Sequence, residues 1–246
     1  MSAQRLNIVY EYRTLGAGAV LKGVRVLLEK YGMPLTGVKV DGQEFNLAQI
    51  PRDIDQIKPN GFDLIASGID ISCGSVGNHH LDFIGIKSAS VPPIPLDQWI
   101  VEFSTNQHFI MAWVVDVEYD RWQNAEDPLE YSAAGRSYAH FPMKSNGLPY
   151  PLERLIIDIS GNRGQWTFRD GYIEAVGAVM WLGESFWPLS GANRERVANS
   201  SWLKVSRLSS SVTRIQSSEH CFATAEGAIG ELQTRLRSLL YQREEM

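Results

Sequence analysis

The segment from Tyr172 to Gly191, YIEAVGAVMWLGESFWPLSG, constrains this chain more than any other. It holds Trp181, Phe186 and Trp187 but only two charged residues, Glu174 and Glu184. Aromatic side chains bury the most area per residue, so such a run is stable only under the cover of other elements. Either the chain folds around this segment, or it acts as a structural subunit that leaves the segment exposed until assembly. With 246 residues there is enough chain for a full core. The balance of 44% hydrophobic to 21% charged residues excludes a disordered protein.

The flanking sequence supplies the cover. Arg5 to Tyr12 is β-branched and aromatic, and reads as a first strand. Val20, Val24, Leu27, Leu28 and Tyr31 then recur at helical spacing, stopped by Gly32 and Pro34. Thr36 to Val40 reads as a short strand, so the opening is β-α-β. Gln43 to Ile57 is ambiguous, with room for a short helix. Asp63 to Cys73 and Leu81 to Ser88 read as strands joined through Gly74 to Asn78, and Pro92 to Pro95 breaks the pattern. Trp99 to Ser104 and Phe109 to Tyr119 read as a hairpin around Thr105 to Gln107.

After a polar section punctuated by Pro128, Gly135, Pro142, Gly147 and Pro149, Leu155 to Ile159 is another strand. Gln165 to Arg169 and Tyr172 to Trp181 suggest a hairpin turned at Asp170-Gly171, although Ala178 to Leu182 also suits a helix. A helical turn or two at Arg194 to Asn199 precedes a closing hairpin, Leu203 to Leu208 with Val212 to Gln216. Ala225, Ala228, Ile229, Leu232, Leu236, Leu239 and Leu240 form the stripe of a C-terminal amphipathic helix. Thr224 is its expected N-cap, and Glu226 and Glu231 precede Arg235, Arg237 and Arg243 as the helix dipole favours. The expected fold is α+β: a largely antiparallel sheet, a helix after the first strand and a C-terminal helix. It forms a single domain over residues 1–246, and any seam falls in the polar section 120–150.

Charge and cysteine content narrow the function. A net charge of -5 lacks the basic face that nucleic-acid binding needs. Cys73 and Cys221 form no C-x-x-C pair, and the beginning of the chain shows no secretion signal. No run reaches the ~18–20 apolar residues of a membrane span. These features point to a cytoplasmic protein that binds neither nucleic acid nor membrane.

Three motifs invite a chemical reading. Gly16-Ala17-Gly18 sits where a dinucleotide fingerprint would, but Leu21 stands in place of its third glycine. The glycines are better read as a turn, and no cofactor is expected. Asp70-Ile71-Ser72-Cys73-Gly74 is close to a nucleophile elbow, with aspartate where the first glycine belongs. A small hydrolase using Ser72 or Cys73 with a histidine is the alternative enzymatic reading. His79, His80 and Asp82 could hold a metal, yet adjacent strand residues face opposite sides, and no metal site is expected.

The fourth feature is charge. Asp116, Glu118, Asp120, Glu126, Asp127 and Glu130 accumulate against a single Arg121, with Trp122 among them. As a solvated strand end and loop they need no function. A catalytic carboxylate pair would need support from a further motif. As a partner-binding surface, the acids would steer a basic partner and Trp122 would anchor it.

Taken together, the β-α opening, Ile69 to Ser75, Gly135-Arg136-Ser137-Tyr138, Val176-Gly177, Trp181-Leu182-Gly183 and the C-terminal helix resemble a known group. They are similar to bacterial immunity proteins of polymorphic-toxin and type VI secretion effector pairs, in particular the Imm52-like group. The resemblance implies a protein without catalytic residues that neutralises a cognate toxin by direct stoichiometric binding. It also implies that the toxin is a nuclease of the restriction-endonuclease-like class, whose basic surface an acidic protein could occupy.

Overall fold

A computed structural model describes residues 3–88 and 92–241. The chain begins with β1 (Gln4–Glu11), α1 (Ala17–Lys30), β2 (Val38–Val40), β3 (Gln43–Phe45) and α2 (Ile54–Ile57). Then come β4 (Gly61–Ala66), β5 (Ile69–Val76), β6 (Leu81–Ser88), α3 (Leu96–Phe103) and β7 (Phe109–Asp116). The middle section forms α4 (Val117–Asn124), α5 (Pro128–Ala133), β8 (Met143–Ser145) and β9 (Leu155–Ile157). It is followed by β10 (Thr167–Arg169), β11 (Tyr172–Glu174), β12 (Val179–Leu182), α6 (Phe186–Ser190) and α7 (Arg194–Ala198). β13 (Lys204–Arg207), β14 (Thr213–Gln216) and α8 (Gly227–Leu240) close the chain. Ten strands form one antiparallel sheet in the order β13-β14-β12-β7-β1-β6-β5-β4-β2-β3, while β8-β9 and β10-β11 are separate hairpins. The α+β expectation holds, with a helix after the first strand and another at the C-terminal end.

Strand alternation divides the apolar side chains between two cores. Leu6, Ile8 and Tyr10 of β1 face α1 and α3, while Val9 faces the opposite side with Trp113, Phe186 and Leu236. β12 splits the opening segment in the same way. Trp181 enters the first core, and Met180 and Leu182 enter the second. The segment from Tyr172 to Gly191 is thus buried within its own chain, which removes the structural-subunit reading. At Gly23 a Cβ would lie 2.8 Å from the Phe103 ring, so glycine there lets α1 and α3 approach closely.

Several local expectations are corrected. Trp99 to Phe103 is helix rather than strand, with Ser104 at its C-cap, because Trp99, Ile100 and Phe103 bury one face of α3 against α1. This contact overrides the β propensity of the aromatic and β-branched residues. Asn106 consequently ends a helix-to-strand link, not a hairpin, and its side chain donates to the Thr14 carbonyl. The strand from Phe109 stops at Asp116, whose carboxylate accepts the Tyr119 N–H at 2.9 Å and caps α4. Asp63 to Cys73 is two strands turned at Ser67-Gly68, where both residues have positive φ. Ala178 to Leu182 is resolved as strand. The C-terminal helix is capped at Glu226, not Thr224, whose hydroxyl instead accepts the Glu226 N–H. Arg243 lies outside the described residues.

Candidate functional site

The acidic segment occupies two short helices rather than a strand end and loop. Asp116 and Asp120 are buried, Glu118 and Glu130 are exposed, and Trp122, Glu126 and Asp127 are half-buried. Asp127 caps α5 by accepting the Leu129 N–H at 2.9 Å. Asp120 accepts from Arg5 at 2.5 Å and from the Trp166 indole at 2.6 Å. Burial pushes its pKa up to about 6, outweighing the pull of Arg5 and Trp166 in the other direction. Asp116 and Asp120 therefore hold the fold together from inside.

Folding also changes the charge balance. Arg136 pairs with Glu118 at 3.2 Å, Lys144 with Glu126 at 3.1 Å and Arg154 with Asp127 at 3.4 Å. Arg121 reaches Glu130 at 3.6 Å. The segment that shows one internal cation in sequence is thus laced with bases from distant positions. Its surface is a mosaic of ion pairs, not a bare acidic field. Trp122 lies within this mosaic, with the Arg121 and Arg136 guanidinium groups 5.1 and 4.3 Å from its ring centroid and Tyr131 edge-on at 4.8 Å. Ala125, Tyr131, Ile157 and Ile159 form a third small core beneath it.

Beside these helices the β8–β9 hairpin carries an apolar tip that charge patterning does not reveal. Leu148, Tyr150, Leu152 and Leu155 are all exposed, Tyr150 to 90%. Asn146 pins the connecting loop. Its side-chain oxygen accepts the Leu148 and Arg154 N–H groups, both at 3.2 Å, and its amide donates to the Leu152 carbonyl at 3.0 Å. A loop fixed in this way presents its side chains without a large ordering cost on binding. The sequence signal was Leu-x-Tyr-x-Leu between turn residues in a stretch otherwise read only as polar.

The motifs with enzymatic or cofactor readings have structural roles. The Asp55 carboxylate accepts the Gly18 N–H at 2.7 Å, so a side chain of this protein already sits at the start of α1. Cys73 is buried, and burial pushes its thiol up to about 12, so the thiolate needed for attack is scarce at neutral pH. Ser72 Oγ stands over Gly85, 3.0 Å from where a Cβ would be. His80 engages Asp170 at 2.6 Å, and His79 stacks on Phe168 at 5.0 Å between centroids. Asp82 is buried and accepts the Thr14 and Leu15 N–H groups at 2.9 and 3.0 Å, tying β6 to the turn before α1. His108, Glu11 and Ser185 also meet, but the carboxylate is central and contacts both other groups, at 2.7 and 3.1 Å. A nucleophilic triad needs histidine in that position.

Among the described residues no helix is long and apolar enough to cross a membrane, and no cluster of three potential metal ligands occurs. No family profile and no curated protein matches the chain. Among solved structures, the Pseudomonas aeruginosa T6SS protein PA0821 shares the fold, with a TM-score of 0.53 at 12% identity. The match covers 98% of this chain and 74% of that one.

Proposed function

We propose that this protein is a non-enzymatic immunity protein that neutralises a cognate antibacterial toxin by direct stoichiometric binding. The observation that carries the reading is the surface formed by α4, α5 and the β8–β9 tip. It combines a pinned loop with exposed Leu148, Tyr150 and Leu152 and a charged rim around Trp122. Aromatic and aliphatic anchors ringed by polar groups are the usual makings of a binding hot spot. The name of its structural neighbour, a T6SS protein, fits a role in toxin delivery systems.

The proposed partner is a nuclease toxin with a basic surface. The net charge of -5 favours such a partner, and Glu118 and Glu130 at the exposed rim would steer its approach. Because the rim acids are already paired with Arg136 and Arg121, the apolar tip supplies affinity and the rim supplies approach and orientation.

The test is co-purification of the tagged protein with the product of the neighbouring gene, followed by calorimetry and a toxicity assay. A nanomolar complex that abolishes toxicity supports the proposal. A harmless neighbour that forms no complex overturns it.

A further inference from the structure

Between α7 and α8 lies a cleft of about 390 Å³ whose charged lining is all basic, in a chain where acids outnumber bases 28 to 23. Arg196, Ser200 and Trp202 enter it from α7 and the turn that follows, and Arg235, Ser238 and Leu239 from the last two turns of α8. The Leu203 N–H donates to the Ser200 carbonyl at 3.0 Å and closes that turn. A concave space of this size suits a small organic ligand.

The two arginines carry the argument. Beside α4 and α5 the cations Arg136, Lys144 and Arg154 are matched with carboxylates. Arg196 and Arg235 have no carboxylate partner among the described residues, and their guanidinium N–H groups donate to none of them. Glu231 precedes Arg235 by four positions, the spacing of a helical ion pair. Arg235 instead lies over Trp202, 4.5 Å from the ring centroid. Stacking on an indole holds a guanidinium in place and leaves its N–H donors free. The hydroxyl protons of Ser200 and Ser238 are committed to the Arg196 and Thr234 carbonyls, at 2.8 and 3.1 Å. Recognition of a ligand therefore falls to the guanidinium groups, with Trp202 and Leu239 as apolar surface beside them.

Two guanidinium groups bring two positive charges. A carboxylate or sulfonate offsets one of them, whereas a phosphate monoester carries about -1.5 to -2 at neutral pH and offers three acceptor oxygens to forked N–H donors. We propose that this cleft binds a small organic phosphate monoester. The phosphate accepts from Arg196 and Arg235, and the organic body lies along Trp202 and Leu239. The inference does not depend on the toxin-binding reading, because the two surfaces share no residue.

The test is calorimetric titration of the wild-type protein with phenyl phosphate in phosphate-free buffer at pH 7.5. Saturable binding is expected, about tenfold tighter than for benzenesulfonate, a monoanion of similar shape, and several-fold tighter than for inorganic phosphate. Arg196→Gln and Arg235→Gln are each expected to weaken binding about tenfold, as for a lost charge-assisted hydrogen bond. Both side chains are exposed, so the variants should keep the wild-type urea midpoint. Arg52→Gln removes an exposed charge outside the cleft and is expected to leave affinity unchanged. No saturable binding to wild type, or equal affinity in the folded Arg196→Gln and Arg235→Gln variants, overturns the proposal, as does an equal loss in Arg52→Gln. Equal affinity for benzenesulfonate overturns the dianion, and equal affinity for inorganic phosphate overturns the ester.

Discussion

The Arg5 guanidinium meets the Asp120 carboxylate at 2.5 Å, joining the first strand to a helix 115 positions further along the chain. The contact fixes α4 against the central sheet, and the Trp166 indole on the same carboxylate brings in the segment leading to the β10–β11 hairpin. One buried acid thereby connects three distant stretches of chain, and its ionisation becomes a property of the whole fold.

Stability is expected to depend on the Asp120 proton. Its folded pKa of about 6 lies above the ordinary 3.8, so the native state holds the proton more tightly than the unfolded chain. The stabilisation is present below pH 3.8 and is lost as pH rises through about 6. It amounts to roughly 2–3 kcal/mol at ~1.4 kcal/mol per pH unit. Urea midpoints measured from pH 4 to pH 7 in wild type and Asp120→Asn should differ in slope over that window. Parallel profiles would contradict the assignment.

Tyr150 is expected to matter for binding and not for folding. Tyr150→Ala should leave the urea midpoint within about 0.5 kcal/mol of wild type, as for an exposed side chain with few contacts. Loss of a central aromatic anchor should cost about 2 kcal/mol or more of toxin affinity, read by calorimetry. Unchanged affinity would move the interface elsewhere.

The rim acids should act on association rate. Reversing Glu118, Glu126 and Glu130 to lysine is expected to slow association about tenfold at low salt, with the difference shrinking as salt is added. Stopped-flow mixing at two ionic strengths measures both. An undiminished rate would remove the basic-partner argument.

Gly61 is expected to tolerate no side chain. Its φ is +99°, and an added Cβ would lie 2.0 Å from the Cys73 carbonyl oxygen across the β4–β5 pair. Gly61→Ala therefore combines strain with a backbone clash and should cost about 3 kcal/mol or more in thermal or urea unfolding.

Cys73 should resist alkylation in the native protein. A buried thiol with its pKa pushed up to about 12 has almost no thiolate at pH 8. Iodoacetamide labelling followed by mass spectrometry is expected to modify Cys73 only after denaturant is added. Rapid native labelling would revive the nucleophile reading.

Much of the fold was legible because alternation and helical spacing are local signals. The strand of Arg5 to Tyr12, the helix from Val20 to Leu28 and the C-terminal stripe all emerge where the periodicity places them. Trp99 to Ser104 was misread because its residue types favour strands, and only the neighbouring α1 makes a helix the better burial. The proposed binding surface was legible in part. Trp122 and the acids stood out by composition, whereas the exposed Leu148, Tyr150 and Leu152 are brought into one tip only by the loop that Asn146 pins.

By itself, the sequence determined that this chain builds an antiparallel α+β domain around a buried aromatic segment. That information resides in residue type and spacing along a few turns or strands. Tertiary structure alone decided which charges remain available. Arg5, Arg136, Lys144 and Arg154 reach the acidic segment only after folding, because Coulomb attraction falls with distance in space and takes no account of separation along the chain.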